Sequence, residues 1–214
     1  GIYHETAWMA PKPMSKPYTQ NLAKAEKLLD DAGWIDHDGD GIRDKEFDGK
    51  VIPFRFSIMT SSQPLSLSIC TLLKENLAQI GVICEVKPTE FTVMQEKARN
   101  HQFQAMFGGW GTGTDPDTSI NLWKTEAARN YVNYSNPEVD KLFEEGRREF
   151  DVEKRAKIYG KIHELLYEDQ PYTWLYFRNS FYGFNKDLRG YVFSPRGPYG
   201  YGPGFSSLWK PAEN

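Results

Sequence analysis

The residues best suited to contact a polar ligand lie between Phe103 and Trp123. Four glycines surround Trp110, and each of them loosens the backbone, so this segment continues neither a strand nor a helix. An indole face can stack on a ligand, hydroxyl groups can donate hydrogen bonds, and carboxylates can bind cations. The candidate ligand-binding residues are Trp110, Gly111, Thr112, Thr114, Asp115 and Asp117.

The same segment also has a purely structural interpretation. Residues 103–107 alternate in polarity, which predicts a strand with one buried face, and Asp115-Pro116 has the pattern of a helix start. The segment would then be a strand–helix connector whose Trp110 packs inward. Asp115 is expected to cap the helix, and Asp117 either reaches a cation or favours the helix dipole. Ligands of α/β proteins usually bind beyond strand ends, which favours a ligand-binding segment. The ligand-binding and the purely structural interpretations therefore both stay open.

A second candidate site is the acidic loop 36–44, which reads Asp-His-Asp-Gly-Asp-Gly-Ile-Arg-Asp. Alternating carboxylates with a glycine after the third match the first half of a calcium-binding loop. The predicted Ca²⁺ ligands are Asp36, Asp38, Asp40, Ile42 and Asp44. The match is incomplete, because Phe47 occupies the twelfth position, where glutamate is usual. Ca²⁺ would have only a structural role, and a solvated acidic turn is the alternative.

No group of residues has the pattern of an enzyme active site. The four histidines are scattered, no serine follows the spacing of a nucleophile elbow, and no glycine-rich loop has the Walker spacing. Asp115 and Asp117 are only two residues apart, which does not suit a glycosidase pair. We therefore expect a protein that is not an enzyme.

Composition and charge limit the class of protein. The chain of 214 residues is 39% hydrophobic and 26% charged, enough for one large domain or two small ones. A formal net charge of -3 without a basic block argues against nucleic acid, and no apolar run approaches a membrane span. The chain begins at Gly1 without an initiator methionine or signal sequence, so we expect a processed or excised piece. Cys70 and Cys84 are expected to be buried thiols rather than a disulfide.

Hydrophobic periodicity predicts an α/β fold in which helices flank a mixed β-sheet. Helices are predicted to begin at Asn21, Pro64, Thr89, Asn136 and Asp151. Strands are predicted at 54–58, 82–86 and 103–107, and the first two should be parallel because a helix joins them. The second helix is expected to face the core with Leu65 and Leu72, among others. Aromatic strands at 172–177 and 181–184, with a hairpin turn at Arg178-Asn179, are predicted to follow.

The predicted domain organisation has three parts. Residues 1–20 form a proline-containing extended arm, and residues 21–190 form an α/β ligand-binding lobe. Residues 191–214 are rich in glycine, proline and tyrosine and bury little on their own. This last segment is either a mobile tail or a crossing to another domain.

Several blocks of sequence, in order, resemble the family 5 extracellular solute-binding proteins, the peptide and dipeptide receptors of ABC importers. The first block is Ala23-Lys24-Ala25-Glu26-Lys27-Leu28-Leu29-Asp30-Asp31-Ala32-Gly33-Trp34, followed by the acidic loop. The second is Phe103 to Trp110 with Asp115-Pro116-Asp117, which is similar to the family's ligand-side strand and loop. The remaining blocks are 133–142 and 155–172. Together the resemblance covers about residues 20–190 in order, and the ordered set is more specific than any one block.

The resemblance implies a periplasmic-binding-protein-like lobe of a receptor whose two lobes close on a ligand. Members of the family are more than twice as long, so this chain resembles the C-terminal lobe only, with an N-terminal lobe missing. The implied location is the periplasm or the outer face of a membrane to which the receptor is tethered, and the implied partner is the permease of the transporter. The arm and the tail would be the two crossings between the lobes.

One departure from the family pattern leaves the identity of the ligand open. Peptide receptors of this family commonly place an aspartate soon after the Gly-Trp pair, where it holds the α-amino group of the peptide. In this chain Thr112 or Gly113 stands near that point. The ligand is therefore a peptide or another small polar solute, with an oligosaccharide receptor of the same family or a calcium-pinned structural or adhesion module as alternatives.

Overall fold

The computed structural model describes residues 1–111, 113–179, 181–191 and 204–212, and it has the predicted α/β fold. The helices are α1 (Leu22–Asp31), α2 (Pro64–Ala78), α3 (Phe91–Arg99), α4 (Ile120–Trp123), α5 (Pro137–Arg148) and α6 (Val152–Asp169). The strands are β1 (Asp44–Phe47), β2 (Lys50–Pro53), β3 (Arg55–Thr60), β4 (Ile83–Pro88) and β5 (Ala105–Met106). Short 3-10 helices span Pro116–Ser119 and Gly204–Ser207. No helix in these ranges combines the length and the apolar character needed to cross a bilayer.

A parallel sheet with the order β4-β3-β5 carries one half of the structure. Ile58 of β3 is paired with Val86 of β4 and with Ala105 of β5, both in parallel register. The parallel pair joined by α2 confirms the prediction, whereas the strand predicted at 103–107 is ordered as a strand only at Ala105–Met106. Cys70 of α2 and Cys84 of β4 are buried in one hydrophobic cluster as free thiols, as expected from the sequence.

An antiparallel hairpin of β1 and β2 follows the acidic loop, and the sequence analysis did not predict it. Asp48 and Gly49 form its turn with positive φ angles of 50° and 75°. An Asp-Gly pair between two strands is a strong signal for this kind of tight hairpin turn. The part of the acidic segment after Asp44 is therefore a strand rather than a loop.

Helices α5 and α6 form the second half of the structure. As predicted, the side chains of Asn21, Asn136 and Asp151 cap α1, α5 and α6 by accepting hydrogen bonds from backbone N–H groups. The interior between α5 and α6 contains the fully buried side chains of Val139, Phe143, Tyr159, Ile162 and Leu166. A Cβ atom at Gly146 would lie 2.7 Å from the Tyr159 ring, so glycine allows the two helices to approach closely.

The predicted arm at 1–20 has no helix or strand, but it packs into this helical core. Ile2, Tyr3, Met9 and Ala10 are all buried there. The backbone N–H of Tyr3 donates a hydrogen bond to Nδ1 of the buried His163, at 3.2 Å. Whether the arm also crosses to a second lobe stays a prediction.

Three predictions about local structure were wrong. Residues 172–177 and 181–184 form no strand, because no described strand lies alongside to pair with them, and Phe177 and Phe181 are exposed. Leu65 and Leu72 of α2 are each 58% exposed, since Cys70 rather than these leucines faces the sheet. Glu90, not Thr89, caps α3: its carboxylate accepts from two N–H groups, whereas the Thr89 hydroxyl donates to the Lys87 carbonyl. Most of the predicted tail, 192–203 and 213–214, lies outside the described residues.

Candidate functional site

The glycine-containing bend 108–111 leaves the sheet at the carboxyl end of β5. The N–H of Phe107 still donates to the Met59 carbonyl at 2.8 Å, and the chain then departs from the sheet. Gly108, Gly109 and Gly111 are exposed, and a Cβ atom built on any of them would meet no atom within 4 Å. The bend is therefore open to its surroundings at the sheet edge where ligands of α/β proteins commonly bind.

Trp110 joins this bend to a wall of aromatic side chains. Its indole Nε1 donates to the Tyr172 hydroxyl at 3.3 Å, and its ring lies 5.7 Å from that of Tyr131. Burial raises the pKa of Tyr172, so this phenol stays protonated. The Arg129 guanidinium lies over the Trp110 ring, 5.9 Å from its centroid. Trp110 is only partly buried, so it both packs on the core and keeps exposed surface beside the bend.

Asp115, four residues after the bend, is held by partners within the protein. It caps the following 3-10 helix by accepting from the N–H of Asp117, and it accepts from two guanidinium nitrogens of Arg155, at 3.1 and 2.8 Å. The Arg155 guanidinium beside it lowers the pKa of Asp115. The Thr114 carbonyl accepts from the Trp8 indole at 3.1 Å, whereas Thr112 lies outside the described residues. The predicted cap at Asp115 is thus confirmed.

Asp117 also has partners within the protein. It accepts a hydrogen bond from the Tyr159 hydroxyl at 3.1 Å and lies 3.5 Å from Nε of Arg147. Burial, with a contribution from the Asp117 charge, raises the pKa of Tyr159. Both carboxylates of the predicted site are therefore balanced by cations of α5 and α6. They fix the bend to the helical half of the structure.

A polar groove of about 900 Å³ lies beside these carboxylates. Its charged lining residues are Asp115, Asp117, Lys124, Glu126, Arg147 and Arg155. Three of these residues are acidic and three are basic, and four of them form the ion pairs Asp115–Arg155 and Asp117–Arg147. The groove therefore has no strong preference for one sign of ligand charge.

The structure adds three residues to the predicted site that the sequence analysis did not select. Arg129, Tyr131 and Tyr172 surround Trp110, but they come from segments far along the chain. Arg129 and Tyr131 stand in a stretch without helical or strand periodicity. Tyr172 was assigned to a strand that does not form. No sequence signal pairs these positions with Trp110, so only the fold brings them together.

The acidic loop brings together three of the five predicted metal ligands. Carboxylate oxygens of Asp36, Asp38 and Asp40 lie within 4.8 Å of one another, all exposed. Asp36 accepts from the N–H groups of Gly39 and Gly41, and Asp40 accepts from the N–H of Ile42 at 2.7 Å.

Asp44 does not belong to this acidic group. It is buried at the start of β1 and its carboxylate pairs with Nδ1 of His37, so it lies apart from the three converging carboxylates. The strand sets the direction of its side chain, which the alternation of carboxylates in the sequence could not show. Calcium binding by the remaining residues stays a prediction.

Comparison with known proteins gives a consistent result. Residues 2–131 match the sequence profile of the bacterial extracellular solute-binding proteins, family 5 Middle. The chain is 34% identical over 196 residues to the oligopeptide-binding protein AppA of Bacillus subtilis, a match covering 89% of this chain and 35% of that protein. It is 25% identical over 62% of its length to the probable D,D-dipeptide-binding periplasmic protein DdpA of Escherichia coli, covering 26% of that protein.

Solved structures show the same similarity in three dimensions. The structure of AppA in complex with a nonapeptide superposes on 99% of this chain with a TM-score of 0.84 and 31% identity, covering 42% of that chain. An oligopeptide-binding protein of Thermus thermophilus complexed with a pentapeptide superposes on 87% with a TM-score of 0.74 and 25% identity, covering 34% of that chain. The chain thus spans well under half the length of the proteins that it matches.

Proposed function

This chain belongs to the bacterial extracellular solute-binding proteins, family 5, and we propose that it forms part of the substrate-binding component of an ABC importer that captures peptides. The observation that carries the proposal is the superposition of almost the whole chain on a protein bound to a nonapeptide. The relatives named above are binding proteins rather than enzymes.

In the proposed receptor, the open bend 108–111 is this chain's part of the ligand cleft. Its backbone can hydrogen-bond to an extended peptide, because Gly108, Gly109 and Gly111 are exposed and carry no side chains of their own. The exposed part of Trp110 supplies apolar contact, and Thr114 and Thr112 supply further polar groups. Asp115 and Asp117 act as positioning residues, since their charges are already balanced by Arg155 and Arg147.

A second lobe is the other element of this proposal. The relatives extend far beyond the matched part, and a peptide held against one open surface would leave half of its own surface in water. We propose that a further lobe closes over the bend by a hinge movement, and that the closed receptor docks on a permease at the outer face of a membrane. The alternatives are an oligosaccharide receptor and a calcium-pinned adhesion module, and the two sequence relatives named above, which are peptide-binding proteins by name, do not favour either.

The test uses the full-length protein and a tryptic digest of casein as the peptide source. Peptides retained after gel filtration are identified by mass spectrometry, and compaction is followed by small-angle X-ray scattering. Retained peptides together with a smaller radius of gyration support a receptor. If the protein retains no peptide from this digest, or binds one without any change in scattering, the proposed closing receptor is wrong.

A further inference from the structure

We propose that Arg129, seated over Trp110, forms an anion subsite that binds a carboxylate group of the captured peptide. This inference rests on the proposed function, because it names the ligand chemistry at the same site. The charged groups near Trp110 differ in whether they have a partner: Asp115 and Asp117 are paired with arginines, whereas Arg129 has no ion-pair partner among the described residues.

The carboxylates near the bend have little capacity to hold a positive ligand group. Asp115 makes two hydrogen bonds with Arg155, and Asp117 is contacted by Arg147 and the Tyr159 hydroxyl. A ligand ammonium group would have to compete with arginines that are part of the fold.

The positive charge of Arg129, in contrast, is not balanced by an ion pair with any described residue. Its side chain makes no ion pair and no hydrogen bond with any described residue, and its guanidinium lies over the Trp110 ring. Arg129 is exposed, so its five N–H donors face solvent or a ligand. The guanidinium fork matches a carboxylate with two parallel hydrogen bonds.

The position of Arg129 is fixed by its surroundings. Its backbone N–H donates to the Asn121 carbonyl at 3.0 Å. The next residue, Asn130, is buried, and its side chain donates to the carbonyls of Lys124 and Tyr134 at 3.1 and 2.7 Å. The contact with the Trp110 ring, 5.9 Å from its centroid, then restricts the rotamers of the long side chain. A preorganised arginine binds an anion with less loss of conformational entropy than a freely moving one.

These observations together place a cation that pairs with no described residue beside a partly exposed aromatic face and an open backbone. A peptide lying along the bend would find apolar contact at Trp110 and a charge partner for a carboxylate at Arg129. The carboxylate is either the carboxyl terminus of the peptide or an acidic side chain. Both would accept the same two hydrogen bonds from the guanidinium.

The test compares an untreated casein digest with the same digest after methyl esterification, which removes the negative charge of every carboxyl group. Full-length wild-type protein should bind the esterified peptides about tenfold to a hundredfold more weakly, the effect of losing a charge-assisted pair. Arg129→Gln should weaken binding of untreated peptides by the same factor, and Arg129→Lys should recover part of it. The matched control is Arg148→Gln, which removes an exposed arginine of α5 and should leave binding unchanged.

A second arm distinguishes the two sources of the carboxylate. One retained peptide is synthesised with a carboxyl-terminal amide, and again with its acidic side chains replaced by amides. Each amide form is compared with the unmodified peptide. The form that binds wild type more weakly than the unmodified peptide, but binds Arg129→Gln as tightly as the unmodified peptide, has lost the carboxylate that contacts Arg129.

The outcomes separate the subsite from the receptor function. If wild type binds untreated and esterified peptides equally, or if Arg129→Gln binds as tightly as wild type, the anion subsite is overturned and the proposed receptor function stands. If wild type retains no peptide in either form, both are rejected. Thermal melting of each variant confirms that a weaker affinity does not come from unfolding.

Discussion

Arg155 binds Asp115 through both oxygens of its carboxylate and so ties the segment after the open bend to helix α6. The same guanidinium donates to the Gly146 carbonyl of α5 at 3.0 Å and lies 5.9 Å from the centroid of the Trp8 ring. One side chain therefore connects the bend, both long helices and the amino-terminal arm. The position of the proposed ligand cleft depends on this connection.

Replacing Arg155 with methionine should loosen the bend and lower stability. Arg155 is 19% exposed and Asp115 is 53% exposed, so solvent already screens part of the pair, and we expect a loss of about 1–2 kcal/mol. Urea unfolding of the full-length protein measures this, with Arg148→Met as a control that removes an arginine from the surface of α5. Equal unfolding midpoints for the two variants would show that the connection contributes no stability.

Replacing Trp110 with alanine should weaken peptide binding by about 30-fold, corresponding to the loss of about 2 kcal/mol at an aromatic contact. Trp110→Phe is the matched variant, since it also lacks the indole N–H that bonds to Tyr172 but keeps an aromatic face. Titration calorimetry with one peptide from the casein digest compares the two. Unchanged affinity in the alanine variant would place Trp110 outside the ligand contact.

Stability should fall in mild acid because of His163. Burial lowers the pKa of this imidazole to about 4, and its neutral Nδ1 accepts from the N–H of Tyr3. An unfolded histidine has a pKa of about 6.5, so the unfolded state takes up the proton first. The contribution is complete above about pH 6.5 and is lost as the pH falls from there towards 4, by on the order of 1–3 kcal/mol.

The variant His163→Asn tests this assignment, because it keeps a hydrogen-bond acceptor but has no ionisable ring. Its free energy of unfolding, measured by urea at several pH values, should vary less across the same window. An acid profile that matches wild type would assign the pH dependence to other groups.

Calcium at millimolar concentration should raise the thermal midpoint of the protein if the acidic loop binds it. The three converging carboxylates of Asp36, Asp38 and Asp40 repel one another, and a cation would relieve that repulsion. Asp38→Asn should remove the shift. Asp48→Asn, at the exposed hairpin turn, is the charge-matched control and should keep it. A wild-type midpoint that calcium does not move would leave the loop as a solvated turn.

The sequence predicted those parts of the fold that depend on neighbouring residues. The caps at Asn136 and Asp151 are local, because each side chain bonds to an N–H two or three residues further along. The hairpin at Asp48-Gly49 is equally local and could have been predicted from that pair. The aromatic strands failed because a strand requires a partner, and apolar alternation does not show whether one is present.

The sequence likewise predicted the local features of the candidate site but not the contacts between distant segments. The bend around Trp110 was predicted from its glycines, and its position after a strand is confirmed. The contact of Arg129 with Trp110 joins residues nineteen positions apart in an irregular stretch, so no periodicity could reveal it. The partners of Asp115 and Asp117 lie on helices further along the chain, and only their packing shows that these carboxylates are already neutralised.

The space around Gly108, Gly109 and Gly111 allows larger residues at these positions of the proposed cleft. None of the three has a positive φ angle, and each would accept a Cβ atom without a collision, so neither backbone shape nor crowding demands glycine there. New side chains could appear at these points while the sheet and the helices stay as they are. In the proposed receptor, single substitutions at these three positions could therefore change which ligands bind.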